Sequence, residues 1–124
     1  MRTYKSREFA RFARKSDIPD SDLCRAVDEI LRGTLDADLG GGVFKQRVRR
    51  KGQGKSGSFR TIILLRIHEI AIFVYGFSKS ERANISPEEL LAYRKIAKGL
   101  LPSREAQADA VAQGKLIEVR CEEN

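Results

Sequence analysis

Two eight-residue runs constrain this chain more than anything else in it: FRTIILLR at 59–66 and IAIFVYGF at 70–77. Each is apolar at consecutive positions rather than alternate ones, so as a strand each buries both faces. A sheet with such strands at its centre needs helices on both sides. Only Ile67–Glu69 separates the runs, so an antiparallel hairpin is expected, although the turn lacks the usual glycine.

Other elements arrange themselves around that pair. Residues 2–4 suit a short first strand, and residues 6–15 suit a helix with Phe9, Phe12 and Ala13 at helical spacing. A second helix carries the stripe Leu23, Ala26, Val27, Ile30 and Leu31. Asp20 or Ser21 is expected to cap it, and Gly33 to stop it. Glycines 40–42 break the chain before a strand at 43–49. There Phe44 and Val48 point one way, and Lys45, Arg47 and Arg49 the other. Ser86, Pro87 and Glu89 form a capping-box helix start. A last helix at about 103–113 ends at Gly114, and KLIEVR suits a final short strand. The expected fold is α+β: a small, mainly antiparallel sheet with two N-terminal helices packed on it and helices after it. The 124 residues fit one domain, with a core at about 2–100 and a helical extension at about 101–124.

Charge narrows the function. The chain carries a formal net charge of +7, which points to a polyanionic partner, nucleic acid first and an anionic membrane surface second. No apolar run approaches the ~18 residues that span a bilayer, and the basic N-terminus lacks the apolar segment of a secretory signal. Neither a membrane partner nor secretion is expected, and a cytoplasmic location is. From Leu39 to His68 there is no acid, and there are eight Lys or Arg residues. Arg50 and Lys51 suit a solvated loop. Lys45, Arg47 and Arg49 on one strand face repel one another, a cost that a bound polyanion relieves. Arg60 starts a central strand, and Lys79 and Arg82 follow the end of the neighbouring one, within reach of the turn that carries Lys55.

Several familiar motifs do not fit. GKS at 54–56 is no phosphate-binding loop, because Arg49 occupies the required glycine position and no helix follows. Cys24, Cys121 and His68 have no metal-ligand spacing. Both thiols are expected to be reduced, with Cys24 serving as packing. His68 reads as a surface turn residue. Acids are too scarce near the basic segment for a carboxylate-held two-metal nuclease, so no metal or cofactor is expected.

FKQRVRRKGQGKSGSFRTIILLR followed by AIFVYGFSKSERANIS resembles the RelE/HigB-like toxins (the RelE/ParE superfamily) of bacterial type II toxin–antitoxin modules. The resemblance spans roughly residues 2–100. It implies a metal-independent endoribonuclease that cleaves mRNA in the ribosomal A site. Its implied partners are a cognate antitoxin, the ribosome and mRNA, and operator DNA through the antitoxin complex. Lys45 and Arg47 match two basic-strand lysines of the family, Arg60 its strand-start arginine, and Lys79 and Arg82 its basic exit segment. These matches cast Lys45 as base, Arg47 and Arg60 as charge stabilisers, and Arg82 or Lys79 as positioners. Arg49, Arg50, Lys51 and Lys55 are cast as further phosphate contacts. Many members carry a tyrosine where this chain has Ile85 and Ser86, so the general base is open. The alternatives are a ParE-type gyrase poison and a non-catalytic nucleic-acid-binding module.

Overall fold

A computed structural model describes residues 1–49 and 58–121. The two apolar runs form β4 (Phe59–Arg66) and β5 (Ile70–Phe77), paired antiparallel as expected. His68 supplies the turn: it takes a left-handed φ of 70°, where a histidine is more acceptable than a β-branched residue. Thus the hairpin closes without a glycine.

Around this centre lie β1 (Arg2–Ser6), β2 (Ala37–Asp38), β3 (Val43–Val48) and β6 (Leu116–Val119). The sheet order is β2-β3-β4-β5-β1-β6. All pairings are antiparallel except that of β1 with β5. β6 is the short last strand expected from KLIEVR, and it covers the outer edge of β1. The two-residue β2 carries no strand signal of its own.

Helices α1 (Arg7–Lys15) and α2 (Asp20–Leu31) cover one face. Phe9, Ala13, Leu23, Val27 and Ile30 pack there against Val48, Ile63, Leu65 and Phe73. The fit is closest at Gly76 on β5, where a Cβ would lie 2.3 Å from the Phe12 ring. α3 (Pro87–Leu100) and α4 (Arg104–Ala112) lie on the other face. Ala97 and Leu101 meet Val43, Ile62, Leu64 and Ile72 there. The expected capping box is present: Ser86 Oγ accepts from the Glu89 amide, and Glu89 accepts from the Ser86 amide. Arg94 of α3 donates to the carbonyls of Leu39 and Gly40, which fastens the glycine turn that launches β3.

Two expectations are corrected. Neither Asp20 nor Ser21 caps α2; Pro19 occupies that position without a side-chain cap. The Asp20 carboxylate is instead drawn to Lys5, 2.8 Å away. Cys24 and Cys121 are not reduced thiols but a disulfide, with Cα atoms 5.5 Å apart. β6 runs back along β1 and delivers residue 121 beside α2. A sequence separation of 97 gave no sign of this.

A crosslink closing so long a loop removes much unfolded-chain entropy, about 4–5 kcal/mol in the chain-entropy account. Cys121→Ser is expected to lower unfolding free energy in urea by about 2–5 kcal/mol. Reductant should destabilise the native sequence similarly and leave the variant unchanged.

Candidate functional site

The register of the three central strands assembles the site. Arg47 of β3 stands directly opposite Arg60 of β4, and Arg60 opposite Phe77 of β5. One step along the same face, Lys45 stands opposite Ile62, and Ile62 opposite Tyr75. Cross-strand partners share a face, so Lys45, Arg47, Arg60, Tyr75 and Phe77 form one patch. It lies on the side covered by α3, away from Val43 and Leu64, with Tyr75 and Phe77 in the same cluster as Leu90 and Tyr93 of α3. The division along β3 matches the sequence expectation: Phe44 and Val48 join the core under α1 and α2, and Lys45 and Arg47 face the other way.

Two arginines in direct cross-strand register repel each other. One acid offsets them: Asp36 lies 3.7 Å from Arg60 Nε. Gln46 fixes that acid in place. Its buried side chain accepts from the Asp36 amide at 3.0 Å and donates to the Thr34 carbonyl at 3.1 Å. Thr61 Oγ1 donates to the Gln46 carbonyl at 2.8 Å, locking β3 to β4 at this point. Among the described residues, Arg47 Nε is buried without a hydrogen-bond partner, and so is Ser58 Oγ. A buried polar group left unpaired costs roughly 1–3 kcal/mol. Both sit at the β3 exit and β4 entrance, where an acceptor from outside would satisfy them. A cavity of about 150 Å³ opens beside Arg47, with Asp36, Gln46 and Arg49 among its walls.

Arg82 has a different situation. Its guanidinium donates to both Glu89 oxygens, at 2.5 and 3.2 Å, to Tyr75 Oη at 3.2 Å, and through Nε to the Asn84 carbonyl at 2.8 Å. It also lies over the Tyr75 and Phe77 rings, 5.7 and 5.9 Å from their centroids. The Arg82 hydrogen bond holds the Glu89 carboxyl down at about 2, helped by the Ser86 amide, and Glu89 in turn raises Arg82. Arg82 therefore fastens the segment after β5 to the start of α3 and props Tyr75 beside the patch. Its charge is already matched. Tyr93 of α3 is pushed up to about 12 by burial and by the nearby Glu89 charge, so it is a protonated hydroxyl at neutral pH.

The other sequence candidates are placed as follows. Lys45 is partly exposed on the patch. Arg49 is exposed just past β3, and Lys79 is exposed in the turn after β5. Arg50, Lys51 and Lys55 lie outside the described residues. His68 sits at the opposite end of the β4–β5 hairpin. Sequence reasoning missed Asp36, which stands just before the acid-free span and whose approach to Arg60 depends on the buried Gln46. It also read Glu89 only as a cap, whereas the same carboxylate is the partner of Arg82. Tyr75 was hidden inside an apolar run.

The patch can grip phosphate oxygens with planar guanidinium groups and offers an aromatic ring edge beside them. Over residues 1–119 the chain matches the family model described as the RelE toxin of the RelE/RelB toxin–antitoxin system. No curated protein sequence matches it.

The Arg82–Glu89 pair predicts a pH signature. The Glu89 carboxyl is depressed from 4.5 to about 2 in the fold. Its stabilising contribution is therefore complete above about pH 4.5 and is lost as pH falls toward 2. The stability difference between the native sequence and Glu89→Gln, measured by urea unfolding, should be largest near neutrality and shrink through that window. A difference that stays constant down to pH 2 would mean the carboxylate is not held ionised by Arg82.

Proposed function

The chain belongs to the RelE toxin family, and from that premise we propose that it is a metal-independent, ribosome-dependent mRNA endonuclease acting in the cytoplasm. One observation carries the reading. Arg47 and Arg60 face each other beside Lys45 with a buried guanidinium nitrogen unsatisfied, an arrangement that a phosphate would complete. The family implies an antitoxin partner. Binding of operator DNA through the antitoxin complex belongs to the same proposal.

RNA cleavage of this kind uses the ribose 2′-hydroxyl against its own 3′-phosphate. The hydroxyl loses its proton, the phosphorane gains negative charge, and the 5′-oxygen leaves with a proton. In the proposed mechanism Arg47 and Arg60 stabilise the phosphorane, because their fixed forks point at oxygens whose charge grows in the transition state. Lys45, next along the same face, is the candidate to take the 2′-hydroxyl proton, in the neutral amine form that remains after its ammonium has released a proton to solvent. Tyr75, held by Arg82, presents a ring on which a base can stack. Arg82 acts through Tyr75 and Glu89 as a positioning residue rather than as a free cation. Arg49 and Lys79, both exposed at the rim, track the flanking phosphates, a role extended to Arg50, Lys51 and Lys55. The ribosome aligns the message in a site too open to hold it alone.

The test is to induce the chain and map mRNA 5′ ends. In-frame cuts within translated messages support the proposal. Intact mRNA with broken DNA assigns the chain to gyrase poisons, and unimpaired growth to a non-catalytic binding role. Arg60→Ala is expected to lower the cleavage rate by about 10²–10³ and to abolish toxicity with the fold kept. Arg47→Ala should do the same. Full growth arrest by either variant at equal expression would remove that arginine from the site. Ribosome affinity should also fall steeply between about 50 and 200 mM salt, and by less per decade in the Arg47 variant.

A further inference from the structure

The sheet face that carries the basic patch has a second cationic opening at its other end. Arg60, Ile62, Leu64 and Arg66 alternate onto that face of β4, which puts Arg66 about 20 Å along the strand from Arg60. Beyond Arg66 lies a cavity of about 490 Å³ between the start of β1, the β4–β5 turn and the α3–α4 junction. Arg2, Arg66 and Arg104 reach it from β1, β4 and α4, against one acid, Glu69. Arg2 is the informative residue. Its guanidinium donates to Gln107 Oε1 at 2.6 Å, and it has no ion pair among the described residues. Gln107 is only 2% exposed. Its amide nitrogen is committed to the Leu100 and Leu101 carbonyls at the end of α3, at 2.9 and 3.1 Å, so the direction of its oxygen is fixed. A neutral donor would satisfy that oxygen equally well; an arginine there leaves a whole positive charge and its remaining N–H groups at the cavity wall. Arg66 pairs with Glu69 at 3.3 Å, but both side chains are more than half exposed, so the pair is weak enough for a ligand to displace.

We propose that this cavity binds a terminal phosphate group, the dianionic end of a small phosphate ester such as a nucleotide. Charge selects the ligand. Three guanidinium charges against one carboxylate leave two positive charges at the opening. A backbone phosphodiester of RNA carries one negative charge. A terminal phosphate carries about 1.5 to 2 at neutral pH and presents three acceptor oxygens. Arginines on three separate elements can surround such a group, and their planar forks grip its oxygens in pairs. Size suits the same ligand, because small-molecule sites commonly measure about 300–1,000 Å³. The rest of the wall offers surface to the body of the ester: Leu101 and Pro102 are apolar, and the His68 ring stands at the turn. Arg82 provides the contrast. Its partner is a carboxylate that takes up its charge, whereas the buried amide of Gln107 aims Arg2 and leaves the charge available. No residue of this cavity belongs to the proposed cleavage site, so the inference stands apart from that reading.

Titration calorimetry on the full chain tests this, with Arg47→Ala and Arg60→Ala as a common background so that the basic patch does not compete. Adenosine 5′-monophosphate and inorganic pyrophosphate should bind, and adenosine should not. Arg2→Gln keeps a donor for Gln107 and removes the charge, so it should raise Kd for the monophosphate at least about tenfold. Arg104→Gln should do the same. Lys98→Gln, at an exposed position of α3 outside the cavity, should bind like the background chain. Absence of binding by both phosphates overturns the proposal, and so does unchanged affinity in both arginine variants. A short RNA, with and without a 5′-phosphate, reads the source of the group. Stronger competition by the phosphorylated form supports a terminal phosphate. Equal competition by both forms assigns the cavity to backbone phosphodiesters and overturns the proposal. If Arg2→Gln fails to fold by circular dichroism, Arg104→Gln and Arg66→Gln, at exposed positions, decide in the same way. The 5′-end map reads cleavage separately, so either conclusion can fail alone.

Discussion

The molecule depends on the pairing of β4 with β5. Ile62, Ile63 and Leu64 are fully buried in succession, as are Ile70, Ala71, Ile72 and Phe73. Consecutive side chains of a strand point to opposite faces, so both sides of the hairpin must be covered. α1 and α2 cover one side along its length. α3 and α4 pack on the other, and Lys45, Arg47 and Arg60 lie on that face at its β3–β4 side. The candidate site is thus a sheet floor whose register brings cations together beside the second helix layer.

That site is held in a state that favours an incoming anion. Gln46 commits its buried amide to Thr34 and Asp36, and this brings a carboxylate to Arg60, while Arg47 has no ion pair among the described residues. The result is a cross-strand arginine pair only half compensated, with a buried nitrogen waiting for an acceptor. Arg82, a few residues past β5, is the opposite case. It is bidentate to Glu89 and stacked over two rings, so its attraction is used up in shaping the wall. Basic residues adjacent in sequence therefore divide into those that brace the site and those left to bind.

The strands, the helices and the face on which Lys45 and Arg47 sit were legible because they depend on short-range periodicity. The alternation of Lys45 and Arg47 against Phe44 and Val48, and the Ser86–Glu89 box, follow from spacing of a few residues. What was not legible depends on long-range register. Nothing local says that Arg47 stands opposite Arg60, that Asp36 swings in to Arg60, or that Cys121 arrives at Cys24. Glu89 shows a further limit: one carboxylate serves as both cap and ion-pair partner, and the local pattern displays only the cap. Asp20 shows the reverse, a good capping residue taken away by Lys5.

The register also bears on which group accepts the proton in the proposed reaction. Two phenols lie near the patch. Tyr93 is held protonated by burial and by the Glu89 charge, which suits donation and opposes acceptance of a proton. Tyr75 accepts a hydrogen bond from Arg82 at 3.2 Å and shares its face with Lys45 and Arg60. Its ring is fixed by that contact, which favours stacking a base over moving toward a ribose. Two candidates for proton acceptor remain on the patch, Lys45 and Asp36. Asp36 is engaged by Arg60, the group the proposed mechanism assigns to the phosphate. A phosphate that draws Arg60 toward itself would release that carboxylate beside the scissile group, coupling substrate binding to the exposure of a base. Lys45 faces the same side of the sheet as Arg47 and has no ion-pair partner among the described residues, but as an ammonium it has no lone pair, so it must first give up its own proton before it can accept one.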